Sequence, residues 1–138
     1  MISYDEFKKV EIRAGKILSA EKVPDTDKLL RLTVDFGEFE EMKVITDKVA
    51  EDNQVIGDIV AVENNKVPKP RQIISGISLY FPDPNVLIGK KCMFVTNLEP
   101  RTIKGLESNG MLFAISTENG NFSLLEPNDS IPAGTLAK

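Results

Sequence analysis

Short apolar runs recur along the whole chain, and turn residues separate them. The clearest run lies between Lys28 and Phe36, where Leu30, Leu32 and Val34 alternate with polar or charged residues. Successive side chains of a β-strand point to opposite faces, so this alternation predicts a strand with one buried and one exposed face. This run is the main evidence for a β-rich fold.

Only the N-terminus has a pattern typical of a helix. Ser3 is followed three residues later by Glu6, and this spacing is that of a capping box. The pair predicts a short helix over residues 4–9, with Phe7 turned towards the core.

The rest of the chain predicts strands joined by turns. Further strands are expected at residues 10–20, 42–46, 59–62, 90–97, 110–116 and 122–126. Gly15 lies inside the first of them and predicts a bulge. Residues 24–27 have the composition of a turn, and residues 118–121 predict a hairpin turn of the Asn-Gly type. Six or seven short strands at regular spacing indicate a barrel or a sandwich.

Residues 97–111 combine turn chemistry with polar and cationic side chains. Apolar runs lead into and out of this segment, whereas Pro100, Gly105 and Gly110 disfavour a strand interior, so the pattern predicts a structured loop between two strands. Its polar groups are two cations and three small side chains: Arg101, Lys104, Asn97, Ser108 and Asn109. Such a set suits contact with phosphates and nucleotide edges. The alternative is an ordinary polar connection.

The charge is unevenly distributed along the chain. The net charge is −4, which argues against indiscriminate binding to nucleic acids. Residues 35–63 carry nine acids and two lysines, a net −7, whereas residues 64–104 carry seven cations and two acids, a net +5. A cationic stretch on an acidic chain is compatible with a selective RNA-binding protein, although chance clustering on a solvated face produces the same pattern.

Composition excludes several classes of function. A length of 138 residues predicts one domain over residues 1–138. The chain has no run of 18 apolar residues, so we expect no membrane span. The acidic N-terminus is unlike a signal peptide, so a cytoplasmic protein is expected. There is no histidine, and the single cysteine, Cys92, lies in an apolar run and is expected in the core. We therefore expect no metal site, no cofactor and no catalytic residues.

Several ordered motifs together resemble a known family. They are residues 10–17 (Val-Glu-Ile-Arg-Ala-Gly-Lys-Ile), 24–29, 71–77 (Arg-Gln-Ile-Ile-Ser-Gly-Ile), 88–91, 97–111, 124–127 and 132–135. In this order they resemble the tRNA-binding domain found at the C-terminus of bacterial methionyl-tRNA synthetases and in stand-alone tRNA-binding proteins. The resemblance covers the chain except for roughly residues 38–70.

The resemblance implies a fold and a set of RNA-contacting residues. The fold is an all-β, five-stranded OB-fold barrel with a short N-terminal helix and a C-terminal extension. The implied RNA-binding residues are Arg71, Ser75, Asn97, Arg101, Lys104 and Ser108, with Lys16 and Lys28 as weaker candidates. Met111 is expected in the core. Glu99 departs from the lysine of many relatives and implies weaker binding.

Residues 47–70 also depart from the family and are interpreted as an inserted segment. They begin acidic, and Ile59–Val62 predicts an added strand beside the barrel. We expect the segment to be accessory to RNA binding. On this view, excising residues 47–68 and rejoining at Lys69 leaves a folded protein that binds tRNA.

Three classes of function follow from these observations. The first is a non-catalytic tRNA-binding module that aids an aminoacyl-tRNA synthetase, most simply a methionyl one. The second is a peptide-binding chaperone of the same fold, and the third is a dimerisation module without a ligand. The resemblance also implies a homodimer formed through the C-terminal region. Whether the chain is a stand-alone protein or a synthetase domain stays open.

Overall fold

The computed structural model describes residues 1–41 and 66–138. Helix α1 spans Tyr4–Phe7, and the Ser3 side chain caps it by accepting the Glu6 N–H at 3.2 Å. The predicted helix start with Ser3 as N-cap is therefore confirmed, although the helix is shorter than predicted. The expectation that Phe7 turns inward is wrong, because its side chain is 47 % exposed. A four-residue helix is too short to present a full apolar face to the sheet.

Eleven strands lie in the described part of the chain. They are β1 (Ile12–Lys22), β2 (Leu30–Asp35), β3 (Phe39–Glu41), β4 (Lys66–Pro68), β5 (Arg71–Ser75), β6 (Lys91–Val95), β7 (Arg101–Ile103), β8 (Leu106–Ser108), β9 (Met111–Leu112), β10 (Ala114–Ser116) and β11 (Phe122–Leu124). Two 3₁₀ turns, Ser78–Tyr80 and Pro84–Leu87, join β5 to β6. Within these residues no helix is long and apolar enough to cross a membrane.

Five of these strands form one antiparallel sheet in the order β5-β2-β1-β6-β9. The two edge strands approach each other through the end of β8, where the Asn109 N–H donates to the Gln72 carbonyl at 2.9 Å. This bond nearly closes the sheet into a barrel and leaves few unpaired edge groups. The all-β, OB-like fold expected from the sequence is confirmed.

The barrel interior is built on the alternation predicted for β2. Leu30, Leu32 and Val34 are fully buried, and Phe36 packs its ring against the edge of Phe94 with 5.2 Å between ring centres. Burying each such side chain contributes about 1.5–3 kcal/mol relative to leaving it exposed. The predicted core position of Cys92 is confirmed as well. Burial, assisted by the negative charge of Glu126, raises the pKa of its thiol to about 11.

Two sequence expectations about individual residues are wrong. The bulge in β1 lies between Ile17 and Ser19, where the pairing with β2 shifts, and not at Gly15. A Cβ at Gly15 would lie 2.5 Å from the Phe36 ring and 2.6 Å from Val34, so glycine serves close packing there. Met111 is 46 % exposed and is not in the core.

The C-terminal extension adds a strand-like segment along β1. The Gly134 N–H donates to the Ala14 carbonyl at 2.7 Å, and the Ala14 N–H donates to the Thr135 carbonyl at 3.0 Å. Further along, the Ala137 N–H donates to the Ile12 carbonyl at 2.8 Å. The extension is therefore part of the folded domain.

The connection from β2 to β5 begins with strand β3 and ends with strand β4, and these two strands pair with each other. Strands β3 and β4 pair antiparallel, with Glu41 opposite Lys66, and residues 42–65 lie outside the described part of the chain. The predicted strands at residues 42–46 and 59–62 fall in that range. Since Lys66–Pro68 is a strand, an excision that ends at Pro68 would remove the partner of β3.

A shorter variant should respect that pairing. We expect a protein in which an Asn-Gly dipeptide joins Glu41 directly to Lys66 to fold, because the dipeptide closes a two-residue hairpin at a paired position. Its affinity for tRNA should stay within about threefold of that of the parent protein. Circular dichroism and a tRNA titration test this. A folded variant that has lost binding would place part of the RNA surface within residues 42–65.

Candidate nucleic-acid interface

The segment predicted as a loop contains a β-hairpin that presents two cations. Strands β7 and β8 pair around Lys104 and Gly105, whose φ angles are +51° and +78°. Two successive positive φ angles are typical of a type I′ turn, in which glycine at the second position is favoured. The dipeptide Lys-Gly between Ile103 and Leu106 is the sequence signal that could have revealed it. The turn projects Lys104 at the tip of the hairpin.

Arg101 and Lys104 are both available for contact with a ligand. Both are exposed, and neither side chain makes a hydrogen bond or an ion pair within residues 1–41 and 66–138. A guanidinium and an ammonium group in this position can each meet a phosphate without first breaking a protein contact.

The hairpin is fixed to the barrel at its base. The Ser108 hydroxyl is buried, accepts the Ile74 N–H at 3.0 Å and donates to the Gly110 carbonyl at 3.2 Å. The Gln72 side chain adds a bond from Nε2 to the Glu107 carbonyl at 2.9 Å. Ser108 thus lies inside the protein, where it positions the hairpin. Its predicted contact with RNA stays a prediction.

Asn97 connects the same region to the N-terminal segment. Its Oδ1 accepts the Glu11 N–H at 2.8 Å, and its Nδ2 donates to the Lys9 carbonyl at 2.5 Å. Both ends of the amide are therefore occupied, although the residue is exposed. This arrangement fixes the chain just before the hairpin, and a contact of Asn97 with RNA stays a prediction.

Arg71 is held by several partners at the start of β5. Nε and Nη2 meet the two carboxylate oxygens of Glu38 at 2.6 and 3.0 Å, and Nη1 donates to the Thr96 carbonyl at 2.6 Å. The Arg71 guanidinium, by donating these hydrogen bonds, holds the pKa of Glu38 below its usual range despite partial burial. The positive charge of Arg71 in this site is therefore already paired with the carboxylate of Glu38.

The three remaining candidates are less closely associated with the hairpin. Ser75 is half-buried at the end of β5, and Lys28 is exposed just before β2. Lys16 is exposed on β1 opposite Lys91 of β6, whose Nζ donates to carbonyls of the C-terminal extension. The register thus places Lys16 near the extension.

The seven cations of residues 64–104 fall into two groups, those that are bound by other described groups of the protein and those that are not. Arg71 is paired with Glu38, the Lys90 Nζ lies 3.3 Å from the Glu126 carboxylate, and Lys91 is bound by the C-terminal extension. The other four cations form no ion pair within the described ranges: Lys66, Lys69, Arg101 and Lys104. Of the positive charge in residues 64–104, the part without an ion pair in these ranges therefore lies on β4, just after it, and on the β7–β8 hairpin.

An open groove of about 630 Å³ lies at the base of that hairpin. Its walls are Glu38, Lys69, Pro70, Arg71, Gln72, Leu98, Pro100, Glu107 and Asn109. Sequence reasoning did not single out Lys69 and Gln72. Both flank Arg71 in the chain, and their place beside a residue of the family motif is the signal that could have found them. The groove offers amide and cationic groups suited to a sugar–phosphate backbone.

A second groove, of about 350 Å³, is mostly apolar and lies on the N-terminal helix. Its apolar walls include Tyr4, Phe7, Val10, Ile12 and Leu136, and all of these except Ile12 are at least 39 % exposed. It brings together the helix and the C-terminal extension, which are far apart in the sequence. Exposed apolar surface of this kind is typical of an interaction site.

A nearly closed barrel with a cationic hairpin beside a polar groove is the arrangement of an oligonucleotide-binding OB-fold domain. The family described as "Putative tRNA binding domain" matches this chain over residues 12–71 and 59–136. The chain belongs to this family. The resemblance inferred from the sequence motifs is thereby confirmed.

Curated relatives carry the name of a synthetase. The chain is 42 % identical over 134 residues to the methionine–tRNA ligase of Methanospirillum hungatei, and the alignment covers 97 % of this chain and 15 % of that protein. It is 40 % identical over 135 residues to the methionine–tRNA ligase of Myxococcus xanthus, covering 98 % of this chain and 15 % of that protein. The chain thus spans about one-seventh of these relatives.

Solved structures of similar size share the fold. A MetRS-related protein from Pyrococcus horikoshii superposes with a TM-score of 0.73 at 31 % identity and is covered over 98 % of its length, with 100 % of this chain covered. The CsaA chaperone protein from Picrophilus torridus superposes with a TM-score of 0.69 at 24 % identity, with both chains covered completely. At that identity the second likeness shows the fold alone.

Proposed function

We propose that this chain is a non-catalytic module that binds tRNA through its sugar–phosphate backbone and aids an aminoacyl-tRNA synthetase, a methionyl-tRNA synthetase in the first place. The observation that carries the proposal is the exposed pair Arg101 and Lys104 on a hairpin anchored beside a polar groove. Relatives named methionine–tRNA ligase and MetRS-related protein favour this synthetase. The cytoplasmic location expected from the sequence belongs to the same proposal.

The acidic net charge of the chain is compatible with this function. Phosphate binding depends on the local field, because interactions beyond about 8–10 Å are largely screened at physiological salt. Lys69 lines the groove and Arg101 directly follows Pro100 in its wall, whereas Glu38 and Glu107 add negative charge to the same walls. Such a distribution weakens binding to arbitrary nucleic acid and favours an RNA whose folded backbone reaches the hairpin and the groove together.

A titration with three competing ligands tests the proposed function. Bulk tRNA, an unstructured RNA of equal length and a denatured protein are each titrated against the purified chain at low and moderate salt. Tighter binding of tRNA than of unstructured RNA supports the proposal. Binding of the denatured protein alone would contradict it and would favour the chaperone alternative.

We also propose that the protein is a homodimer that uses the apolar groove of α1 and the C-terminal extension. The sequence predicted a dimer through the C-terminal region, and the exposed apolar residues beside Leu136 support this location while adding the helix. Two weakly cationic faces held together would bind one tRNA more tightly than a single face through effective concentration.

Polar replacements in the groove should separate the two copies. We expect a Phe7→Ser, Leu136→Ser variant to have the mass of one chain by light scattering at about 10 μM, where the parent protein has the mass of two, because burial of apolar side chains is the main favourable term in association. Val86→Ser is the matched control, since Val86 is 52 % exposed and does not line the groove. A double variant that keeps the mass of two chains would contradict this interface.

A further inference from the structure

Arg71 is oriented by contacts other than its ion pair. Its pairing with Val34 in the sheet directs the side chain to the barrel side, where the guanidinium carbon lies 5.3 Å from the centre of the Phe36 ring. Nη1 donates to the Thr96 carbonyl at 2.6 Å and approaches the Asn109 carbonyl at 3.4 Å. These contacts orient the plane of the guanidinium independently of the group that binds its Nε and Nη2 atoms.

The other edge of Arg71 is covered by a carboxylate alone. Nε and Nη2 form a two-pronged contact with Glu38, at 2.6 and 3.0 Å. The Glu38 side chain is 41 % exposed, and within the described residues its hydrogen bonds all come from Arg71. The two-pronged geometry makes this contact stronger than a typical surface ion pair, and a phosphate that takes the place of the carboxylate restores contacts of the same kind.

The pair lies between two open grooves. Glu38 and Arg71 are shared by the 630 Å³ groove below the hairpin and by a 550 Å³ groove lined by Arg13, Phe36 and residues 133–135. Lys69 and Arg71 both line the first groove, so a phosphate group bound there lies near both cations. Phosphate and carboxylate oxygens match the guanidinium fork in the same two-pronged geometry.

We propose that Glu38 occupies the position of an RNA phosphate on Arg71, and that a backbone phosphate of bound tRNA displaces it. This inference rests on the proposed function, because it names the residue that tunes RNA binding at the same site. Arg71 stays oriented by Phe36 and the Thr96 carbonyl after Glu38 leaves, so the fork is already placed for the incoming phosphate. In the free protein the carboxylate neutralises this cation and weakens binding to isolated or unstructured strands.

Charge removal at Glu38 tests the inference. We expect Glu38→Gln to bind tRNA about fivefold more tightly at low salt, because the phosphate no longer has to displace a carboxylate from Arg71. The slope of log K against log salt should stay nearly the same, because the same phosphate contact forms in both proteins. Glu107→Gln is the matched control. Glu107 lines the same groove and has no cationic partner among the described residues, so its replacement removes one negative charge without freeing a cation, and its gain in affinity should be clearly smaller than that of Glu38→Gln.

Dependence on Arg71 distinguishes displacement from a general loss of negative charge. In an Arg71→Lys background, where the two-pronged fork is absent, the gain from Glu38→Gln should shrink to that of Glu107→Gln. Circular dichroism establishes that each variant is folded, and Arg71→Gln replaces Arg71→Lys if the lysine variant is not.

Three outcomes would overturn the inference. A Glu38→Gln protein that binds tRNA like the parent at both salt concentrations contradicts it, and so does an equal gain in the Arg71→Lys background. Both leave the proposed function intact, since the parent still binds tRNA. A parent that binds no tRNA overturns the proposed function and this inference together.

Discussion

Replacing Arg101 and Lys104 together by alanine is expected to weaken tRNA binding at least about tenfold at low salt, since each removes a charged contact to a phosphate. The slope of log K against log salt should fall by about 2, or about 1 for each single variant. Different tRNAs should be affected alike, because phosphates carry no sequence information. Both side chains are exposed and make no described side-chain contact, so stability should hardly change.

Lys90→Ala is the matched control for this experiment. Lys90 belongs to the same cationic stretch, but its Nζ lies 3.3 Å from the Glu126 carboxylate. Its removal should change the affinity for tRNA less than about twofold, because its charge is already paired with Glu126. It should also leave the protein folded, because an exposed ion pair contributes little to stability. If the double variant binds as the parent does at low and high salt, the hairpin is not the RNA-binding element and the site must lie elsewhere on the barrel.

Gly134→Ala is expected to lower the free energy of unfolding by about 2–4 kcal/mol, the largest effect on stability that we predict for a single substitution. Gly134 has a φ of +93°, and an added Cβ would collide with the backbone carbonyl oxygen of Phe36. Backbone cannot yield as a side chain can, so the C-terminal extension would have to leave β1. The melting temperature should fall by roughly 10 °C.

Gly120→Ala separates the collision from the cost of the backbone angle. Gly120 has a similar φ of +89°, but a Cβ there would meet no atom within 4 Å. Its replacement should cost about 1 kcal/mol. Urea unfolding of both variants measures the difference. Equal destabilisation would mean that the extension can move away from Phe36 at no cost in stability, and that the close approach of Gly134 to the Phe36 carbonyl does not stabilise the fold.

The part of the site that could be predicted from the sequence is the part that depends on local composition. Arg101 and Lys104 were predicted from one polar segment, and the positive φ angles of Lys104 and Gly105 turn the chain into the hairpin that presents both cations. Ser108 and Arg71 came from the family motifs. Their surroundings could not be predicted, because the Ser108 hydroxyl meets Ile74 and the Arg71 guanidinium meets Glu38, residues 34 and 33 positions away in the chain.

Errors in the predicted fold have the same origin. A glycine in a strand suggests either a bulge or a close approach of another group. At Gly15 the choice was decided by the Phe36 ring, which the sequence does not place. Phe7 and Met111 are apolar, and composition alone favours the interior for both. Each instead lies on the surface, Phe7 beside Leu136 of the C-terminal extension.

By itself, the sequence determined strands β1, β2 and β6, the buried face of β2, the capped helix and the family, because these depend on periodicity, local turn chemistry and short motifs in a fixed order. Strand β5 was recognised only as a family motif and was not predicted as a strand. Only the tertiary structure decided which cations are available to RNA. Lys90, Lys91 and Arg71 are neutralised or held by groups at least 25 residues away, whereas Arg101 and Lys104 have no such partner among the described residues. The closing of the barrel brings those distant groups together, and a local pattern carries no information about them.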